Sequence, residues 1–210
     1  MVPRFDAFYP TPYAVRAMLD IPLRRYILPI LATPAARVAA LGSSVNSLRV
    51  AGFVVGIAAL PAIWRRAYLL GLALVAVGRL LDVMASAGAS LKPRERYDRY
   101  LSLVLDLIWT ASMPLAFALG EPNRALAAMF LMFGLAARAA ALSAEAQVMP
   151  GPVASMQGFG ANLIGKTEIF VAYVLACIFP DRFSIIAYAL GMVCFVMTGS
   201  LVASAGSRDK

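Results

Sequence analysis

The chain has 210 residues, 61% of them hydrophobic, with a mean hydropathy of +0.78 and a formal net charge of +8 at pH 7. Soluble domains are roughly 45–50% apolar, so this composition predicts an integral membrane protein, and its positive charge is expected at lipid headgroups and not on nucleic acid. The absence of histidine excludes Ser-His-Asp catalysis and histidine-ligated metals, and the two cysteines form no CxxC motif. Any bound metal would be a hard cation held by carboxylates.

The first 41 residues are predicted to stay outside the hydrocarbon as a juxtamembrane segment. Within residues 12–41, apolar residues are mixed with Arg16, Arg24, Arg25 and Arg37 and are interrupted by Pro22, Pro29 and Pro34. This pattern favours an amphipathic surface helix with its arginines toward lipid phosphates, and a plain loop is the alternative.

Residues 42–210 are predicted to form a six-helix transmembrane domain, because about 20 apolar residues suffice to cross a bilayer. The predicted fold is therefore an all-α integral membrane protein with six transmembrane helices after an N-terminal amphipathic surface helix. Short turns make neighbouring helices antiparallel. The six predicted spans are Asn46–Trp64, Ala67–Ala87, Tyr97–Leu119, Asn123–Leu142, Ala161–Phe179 and Phe183–Ala203.

An even number of spans places both termini on one side of the membrane. Thirteen Lys and Arg residues flank the spans on that side and four flank them on the other. The positive-inside rule then predicts that both termini are cytoplasmic in a bacterial-type inner membrane.

Ionisable residues cluster near the cytoplasmic ends of the second and third spans. Arg79 and Asp82 are three residues apart and share a helix face, and Asp98, Ser102 and Asp106, spaced by four, share another. An ionised group at a helix centre costs about 2.5–3.5 kcal/mol on insertion scales, so such groups usually face a polar cavity. The sequence therefore predicts two polar walls of one pocket.

Two further features have open interpretations. The basic loop and the arginine before it either dock an anionic lipid or an acidic partner, or only obey the charge rule for cytosolic loops; these residues are Arg79, Lys92, Arg94, Arg96 and Arg99. Gly52 and Gly56 form a GxxxG motif that serves either packing within the bundle or dimerisation.

Four strings between about residues 40 and 204, in this order, resemble the CDP-alcohol phosphatidyltransferase family of phospholipid-synthesising enzymes: VNSLRVAGFVVG, GRLLD, LVLDLIWTASMPLAFALGEPNRALAAMFL and GKTEIFVAYVLACIFP. The family signature reads Asp-x-x-Asp-Gly-x-x-Ala-Arg, then Gly-x-x-x-Asp-x-x-x-Asp. Only Asp82, Ala89 and Asp106 match it here. The second aspartate, the adjacent glycine, the arginine, the second glycine and the third aspartate are replaced by Ala85, Ser86, Ser90, Asp98 and Ser102.

The resemblance implies that four carboxylates would hold two divalent ions and that the last aspartate would deprotonate the alcohol. With only Asp82 and Asp106 left as metal ligands, we expect no cofactor, lost catalysis, and a lipid-binding or complex-assembly role. The partners would be anionic phospholipids and either a second copy or another membrane protein. The alternative is an active transferase with Mg or Mn, in which Asp98 or Glu168 completes the metal site and Asp106 is the catalytic base.

Structural roles for the same two aspartates are also open. Asp82 could pair with Arg79 or Arg138, and Asp106 with a basic residue of the 92–99 loop or with Lys166. Buried pairs of this kind fix helix register without adding much stability.

Overall fold

A computed structural model describes residues 45–89, 96–148 and 165–208. These ranges are helical and contain no strand: α1 is Val45–Ile57, α2 Ala59–Trp64, α3 Tyr68–Ala89, α4 Arg96–Gly120, α5 Ala125–Val148, α6 Lys166–Ile178 and α7 Phe183–Arg208. The juxtamembrane segment predicted for residues 1–41, together with Lys92 and Arg94, lies outside the described residues.

Five stretches of the described residues are long and apolar enough to cross a membrane: Asn46–Trp64, Tyr68–Ala85, Tyr100–Gly120, Pro122–Ala144 and Pro180–Ser204. They correspond to five of the six predicted spans. The remaining predicted span, Ala161–Phe179, coincides with α6, of which 13 residues are described. Its first residues lie outside the described ranges, so the sixth crossing stays a prediction.

Two prolines shape the first and third spans. Pro61 has no N–H to donate to the carbonyl of Ile57, and the span that the sequence predicts as one helix is divided there into α1 and α2. Pro114 removes the donor for the carbonyl of Thr110 in the same way, but α4 continues through it. The hydroxyl of Tyr173 in α6 donates to that carbonyl at 2.7 Å and replaces the missing N–H.

Neighbouring helices are antiparallel, and glycines bring them close together. A Cβ atom on Gly78 of α3 would lie 2.8 Å from the carbonyl oxygen of Gly52 and 2.9 Å from the nitrogen of Gly56, both in α1. The GxxxG motif therefore packs within the bundle, which is one of its two predicted uses. Gly134 and Gly191 make a similar close contact between α5 and α7.

Three aromatic rings stack on one another toward one end of the bundle. The rings of Phe117 and Phe183 stack with centroids 4.3 Å apart, and Tyr68 stacks on Phe117 at 6.0 Å. Phe117 and Phe183 are each 1% exposed. Dense aromatic packing thus closes this end of the bundle.

A buried arginine ties together the turns at the same end. Arg124, whose side chain is 7% exposed, lies 2.7 Å from Glu121 and 3.6 Å from Asp181, which belong to two different turns. It also donates to the hydroxyl of Tyr68 at 3.1 Å. No local sequence pattern predicts this network, which lies at the end of the helices opposite the cleft residues.

Candidate functional site

A narrow, open cleft lies between α1, α3 and α4, toward the end opposite the aromatic stack. Arg79 and Asp82 enter it from α3, and Ser102 and Asp106 enter it from α4. The prediction that the two polar stripes face one pocket is confirmed for these four residues, whereas the side chain of Asp98, the third member of the α4 stripe, lies outside what the structure describes. The other lining residues are Arg49, Gly52, Phe53, Gly78, Leu105 and Trp109.

On the α3 wall, Arg79 and Asp82 form an ion pair. Nη1 of Arg79 donates to Oδ2 of Asp82 at 2.9 Å, and the two side chains are 20% and 27% exposed. The spacing of three residues places both groups on one face of α3. Of the two partners predicted for Asp82, the structure shows Arg79.

On the α4 wall, Asp106 pairs with a cation from another helix. Nζ of Lys166, in the first turn of α6, lies 3.0 Å from Oδ2 of Asp106. Lys166 was one of the predicted partners of Asp106, and this prediction is confirmed. Arg138 of α5 also interacts electrostatically with Asp106 and with Glu168, so Asp106 lies among positive charges from two neighbouring helices.

Arg49 is a cleft residue that sequence reasoning counted only as an interfacial charge. It lies in the first turns of α1, it is 3% exposed, and it lines the cleft. Gly52 and Gly78 allow α1 and α3 to approach closely, which brings Arg49 to the same cleft as Arg79. Its position as a lone arginine inside an apolar run, three residues before Gly52, was the signal that could have identified it.

Trp109 forms part of the apolar lining of the cleft. A Cβ atom on Gly56 would lie 2.7 Å from Nε1 of Trp109, so the indole fits against α1 only because residue 56 is glycine. Trp109 also meets the ring of Tyr173 edge to face at 5.8 Å. The cleft is thus polar near the helix ends and apolar deeper in the bundle.

The donor set of the cleft does not fit two divalent ions. Ala85 is 1% exposed and offers no ligand, Ser102 offers a neutral hydroxyl, and both cleft carboxylates are paired with cations. In the part of the chain that the structure describes, no three His, Cys, Asp or Glu side chains are grouped so that they could hold a metal. Oε2 of Glu168 accepts a hydrogen bond from the backbone N–H of Gly165 at 2.7 Å, where it caps α6.

Several predicted site residues lie outside what the structure describes. The side chains of Asp98, Arg96 and Arg99 at the start of α4 are among them, as are Lys92 and Arg94 in the preceding loop. Their proposed roles as substitute metal ligand and as lipid- or partner-binding cations stay predictions.

The apolar helices and the polar cleft between them define a multi-helix, all-α membrane protein. The sequence is 32% identical over 191 residues to the inner membrane protein YnjF of Escherichia coli (strain K12), which covers 86% of this chain and 92% of that protein. The chain therefore belongs to the same family as YnjF. No family model and no solved structure matches the sequence.

Proposed function

We propose that this chain is a catalytically inactive, CDP-alcohol phosphatidyltransferase-like protein of the inner membrane, whose cleft binds an anionic lipid. One observation supports the proposal: each carboxylate among the described residues of the cleft is paired with a cation of the chain itself. Arg79 lies 2.9 Å from Asp82, and Lys166 lies 3.0 Å from Asp106. Such pairing favours an anionic ligand over a cationic one.

The positive charge beside the cleft carboxylates resides on side chains of the chain itself. Two divalent ions bring four positive charges, and a transferase of the resembled family balances them with four aspartates. Here the two remaining aspartates, Asp82 and Asp106, are already paired with a guanidinium and an ammonium of the chain. A metal ion would have to displace both side chains and would still lack ligands at Ala85 and Ser102.

The membrane location and orientation support a lipid ligand. YnjF is an inner membrane protein by name, and the excess of Lys and Arg on the side of the termini favours a cytoplasmic cleft. A cleft at this level reaches the headgroups of the inner leaflet. A role in assembly with a second copy or another membrane protein is compatible with the same lipid binding.

The proposal is tested by measuring CMP release from a CDP-linked lipid with common alcohols and Mg²⁺ or Mn²⁺, in membranes that contain the chain. We expect no metal-dependent release. The matched control restores the signature through Ala85→Asp, Ser86→Gly, Ser90→Arg, Asp98→Gly and Ser102→Asp, and this variant should gain Mn²⁺ binding. Turnover by the unaltered chain that disappears in Asp106→Asn would overturn the proposal.

The alternative, an active transferase with a rewired metal site, is favoured by one observation: Asp82 and Asp106 line the same cleft. It requires Asp98 or Glu168 as a further ligand, and Glu168 would have to leave the N–H of Gly165. Anomalous scattering from Mn²⁺ between Asp82 and Asp106 in soaked crystals would support this alternative.

A further inference from the structure

The two halves of α4 differ in how deeply they are buried. In residues 113–120, called here the core half, four side chains are buried: Met113, Pro114, Ala116 and Phe117. In residues 97–112, called here the cleft half, none of the described side chains is buried, although this half carries Ser102 and Asp106. A segment with few buried contacts moves at little cost, so the cleft half is the less firmly held part of α4.

The facing wall of the cleft is fixed in place. Gly78 of α3 lies so close to α1 that an added Cβ atom would be 2.8 Å from the carbonyl oxygen of Gly52. Val75 and Ala85, which lie on either side of Gly78 along α3, are each 1% exposed. Because α1 and α3 pack this tightly along the cleft, a change in its width requires movement of α4.

A hinge lies where the two halves of α4 meet. Pro114 cannot donate to the carbonyl of Thr110, which interrupts the backbone hydrogen bonds at this point. In the preceding turns, the hydroxyl of Thr110 donates back to the carbonyl oxygen of Asp106 at 2.7 Å. The hydroxyl of Ser112 donates in the same way to the carbonyl oxygen of Ile108 at 2.6 Å. Proline and hydroxyls bonded in this way are common causes of helix bending.

Two contacts with α6 hold the cleft half, and they act at different distances from the hinge. The hydroxyl of Tyr173 binds the carbonyl of Thr110, one turn before Pro114, so this contact holds the pivot itself. Lys166 binds Asp106 eight residues before Pro114, about 12 Å along the helix, where a given rotation produces a larger displacement. The two side chains of this pair are 43% and 27% exposed, and such a pair shifts an equilibrium by only about 2- to 5-fold.

The cleft is too narrow in this conformation for a lipid headgroup. Its cavity volume is about 40 Å³. A cavity of about 150 Å³ is the size that accommodates benzene, and the phosphoglycerol group of phosphatidylglycerol is larger than benzene. A lipid headgroup therefore enters the cleft only if one of its walls moves outward.

Resting on the lipid-binding function proposed above, we propose that the cleft half of α4 is a movable wall, hinged at Pro114 and latched by the Lys166–Asp106 ion pair, which opens to admit an anionic lipid. Trp109 moves with this wall. Its indole lies against Gly56 of α1 in the latched state and leaves α1 when the wall opens. Only the open state binds the lipid, so loss of the latch raises the open population and the lipid affinity by the same factor.

The exposure of Trp109 to water reports the position of the wall. The chain has two tryptophans, and Trp64, which is 54% exposed in α2, is replaced by Phe to give the parent chain for the test. Lys166→Met together with Asp106→Asn then removes the latch without leaving a carboxylate that has lost its cation. In detergent, the acrylamide quenching constant of Trp109 should be about 2- to 5-fold higher in this unlatched variant than in the parent.

Salt distinguishes a latch from a packing effect. Acrylamide is uncharged, so the salt concentration can be raised independently from about 0.01 M to about 1 M, which shortens the screening length from about 30 Å to about 3 Å. Quenching of Trp109 should then rise in the parent and stay constant in the unlatched variant. The matched control Arg182→Met, which removes an exposed cation at the opposite end, should behave as the parent does.

The hinge is tested by adding Pro114→Ala to the unlatched variant. The restored N–H stiffens α4, so Trp109 should regain the protection that it has in the parent. Equal quenching in the parent and the unlatched variant, a parent that does not respond to salt, or an unlatched variant that Pro114→Ala does not protect would overturn the inference. If the unlatched variant does not fold, the salt response of the parent, and its loss when Pro114→Ala is added to the parent, decide the question.

Lipid entry is measured separately, in phosphatidylcholine bilayers that contain brominated phosphatidylglycerol. Brominated phosphatidylcholine is the reference, because it accounts for contact of Trp109 with bulk lipid. The unlatched variant should bind phosphatidylglycerol about 2- to 5-fold more tightly than the parent, and equal binding would overturn the inference. Absence of specific quenching in every chain would overturn the lipid-binding function itself, and with it the admission of lipid, whereas the acrylamide result would stand as a property of the fold.

Discussion

The hydroxyl of Tyr173 donates a 2.7 Å hydrogen bond to the carbonyl of Thr110, the one position in α4 that Pro114 deprives of its helical donor. Inside the membrane no bulk water is present to donate a hydrogen bond to an unpaired carbonyl. The side chain of α6 therefore supplies the donor that the backbone of α4 lacks. This contact, together with the edge-to-face contact of Trp109 and Tyr173, attaches α6 to α4 beside the cleft.

Tyr173→Phe should therefore destabilise the protein by about 1 kcal/mol, because it leaves the Thr110 carbonyl without a donor. Pro114→Ala restores the N–H, so the effect of Tyr173→Phe should shrink in the double variant. The measurement is the unfolding midpoint in detergent for all four chains of the cycle. Tyr188→Phe, which removes a half-exposed hydroxyl from α7, is the control, and additive effects in the cycle would contradict the assignment.

Gly78→Ala should destabilise the bundle by about 1–3 kcal/mol, since its methyl group would meet backbone atoms of Gly52 and Gly56 at 2.8–3.0 Å and force α1 away from α3. Gly199→Ala in α7 is the matched control, because nothing lies within 4 Å of the added atom. This control should be neutral or stabilising by up to about 1 kcal/mol, as alanine is the better helix former. Thermal unfolding of both variants checks the contrast, and equal losses would refute the close-approach argument.

Arg124→Gln should cost about 1–3 kcal/mol, because Glu121 would lose the cation at 2.7 Å and keep only the exposed Arg66 at 3.7 Å. Arg182→Gln removes an exposed arginine next to Asp181 and should change stability by less than about 0.5 kcal/mol. Denaturant unfolding of the two variants, compared at the same ionic strength, tests the expectation. A loss of similar size in Arg182→Gln would show that net charge at this end matters more than the buried network.

Lys166→Met should weaken the attachment of α6 to α4 by about 1 kcal/mol at low salt, since the Lys166–Asp106 pair is partly exposed and therefore screened. The difference from the unaltered chain should decrease as salt is raised. Asp106→Asn should behave alike, and the double variant should be less destabilised than the sum of the two. The unfolding midpoint at two salt concentrations is the readout, and a salt-independent difference would argue for a packing effect instead.

The local spacing of residues in the sequence predicted much of the fold and part of the cleft. Length and hydropathy predicted the spans that the structure describes, and intervals of three and four residues predicted that Asp82 and Asp106 face one cleft. The pairing of Asp106 with Lys166 was foreseeable because both residues lie toward the same side of the membrane in their predicted spans. Arg124 was not foreseeable in the same way, since Glu121 and Asp181 meet only after two distant turns pack together. Arg49 was missed because charge counting treats an arginine near a span end as an interfacial anchor.

The stacked rings of Tyr68, Phe117 and Phe183 have a bioenergetic consequence. A polar cleft that reaches into the bilayer shortens the apolar path that protons would have to cross. A proton leak along that path would dissipate the energy that a cell stores as a proton gradient. The three rings place an apolar barrier between the cleft and the opposite surface of the membrane. The electrical resistance of a membrane that contains the protein should therefore equal that of the lipid bilayer alone. Conductance across planar bilayers containing the protein, with Phe117→Ala as the variant expected to leak, measures that insulation directly.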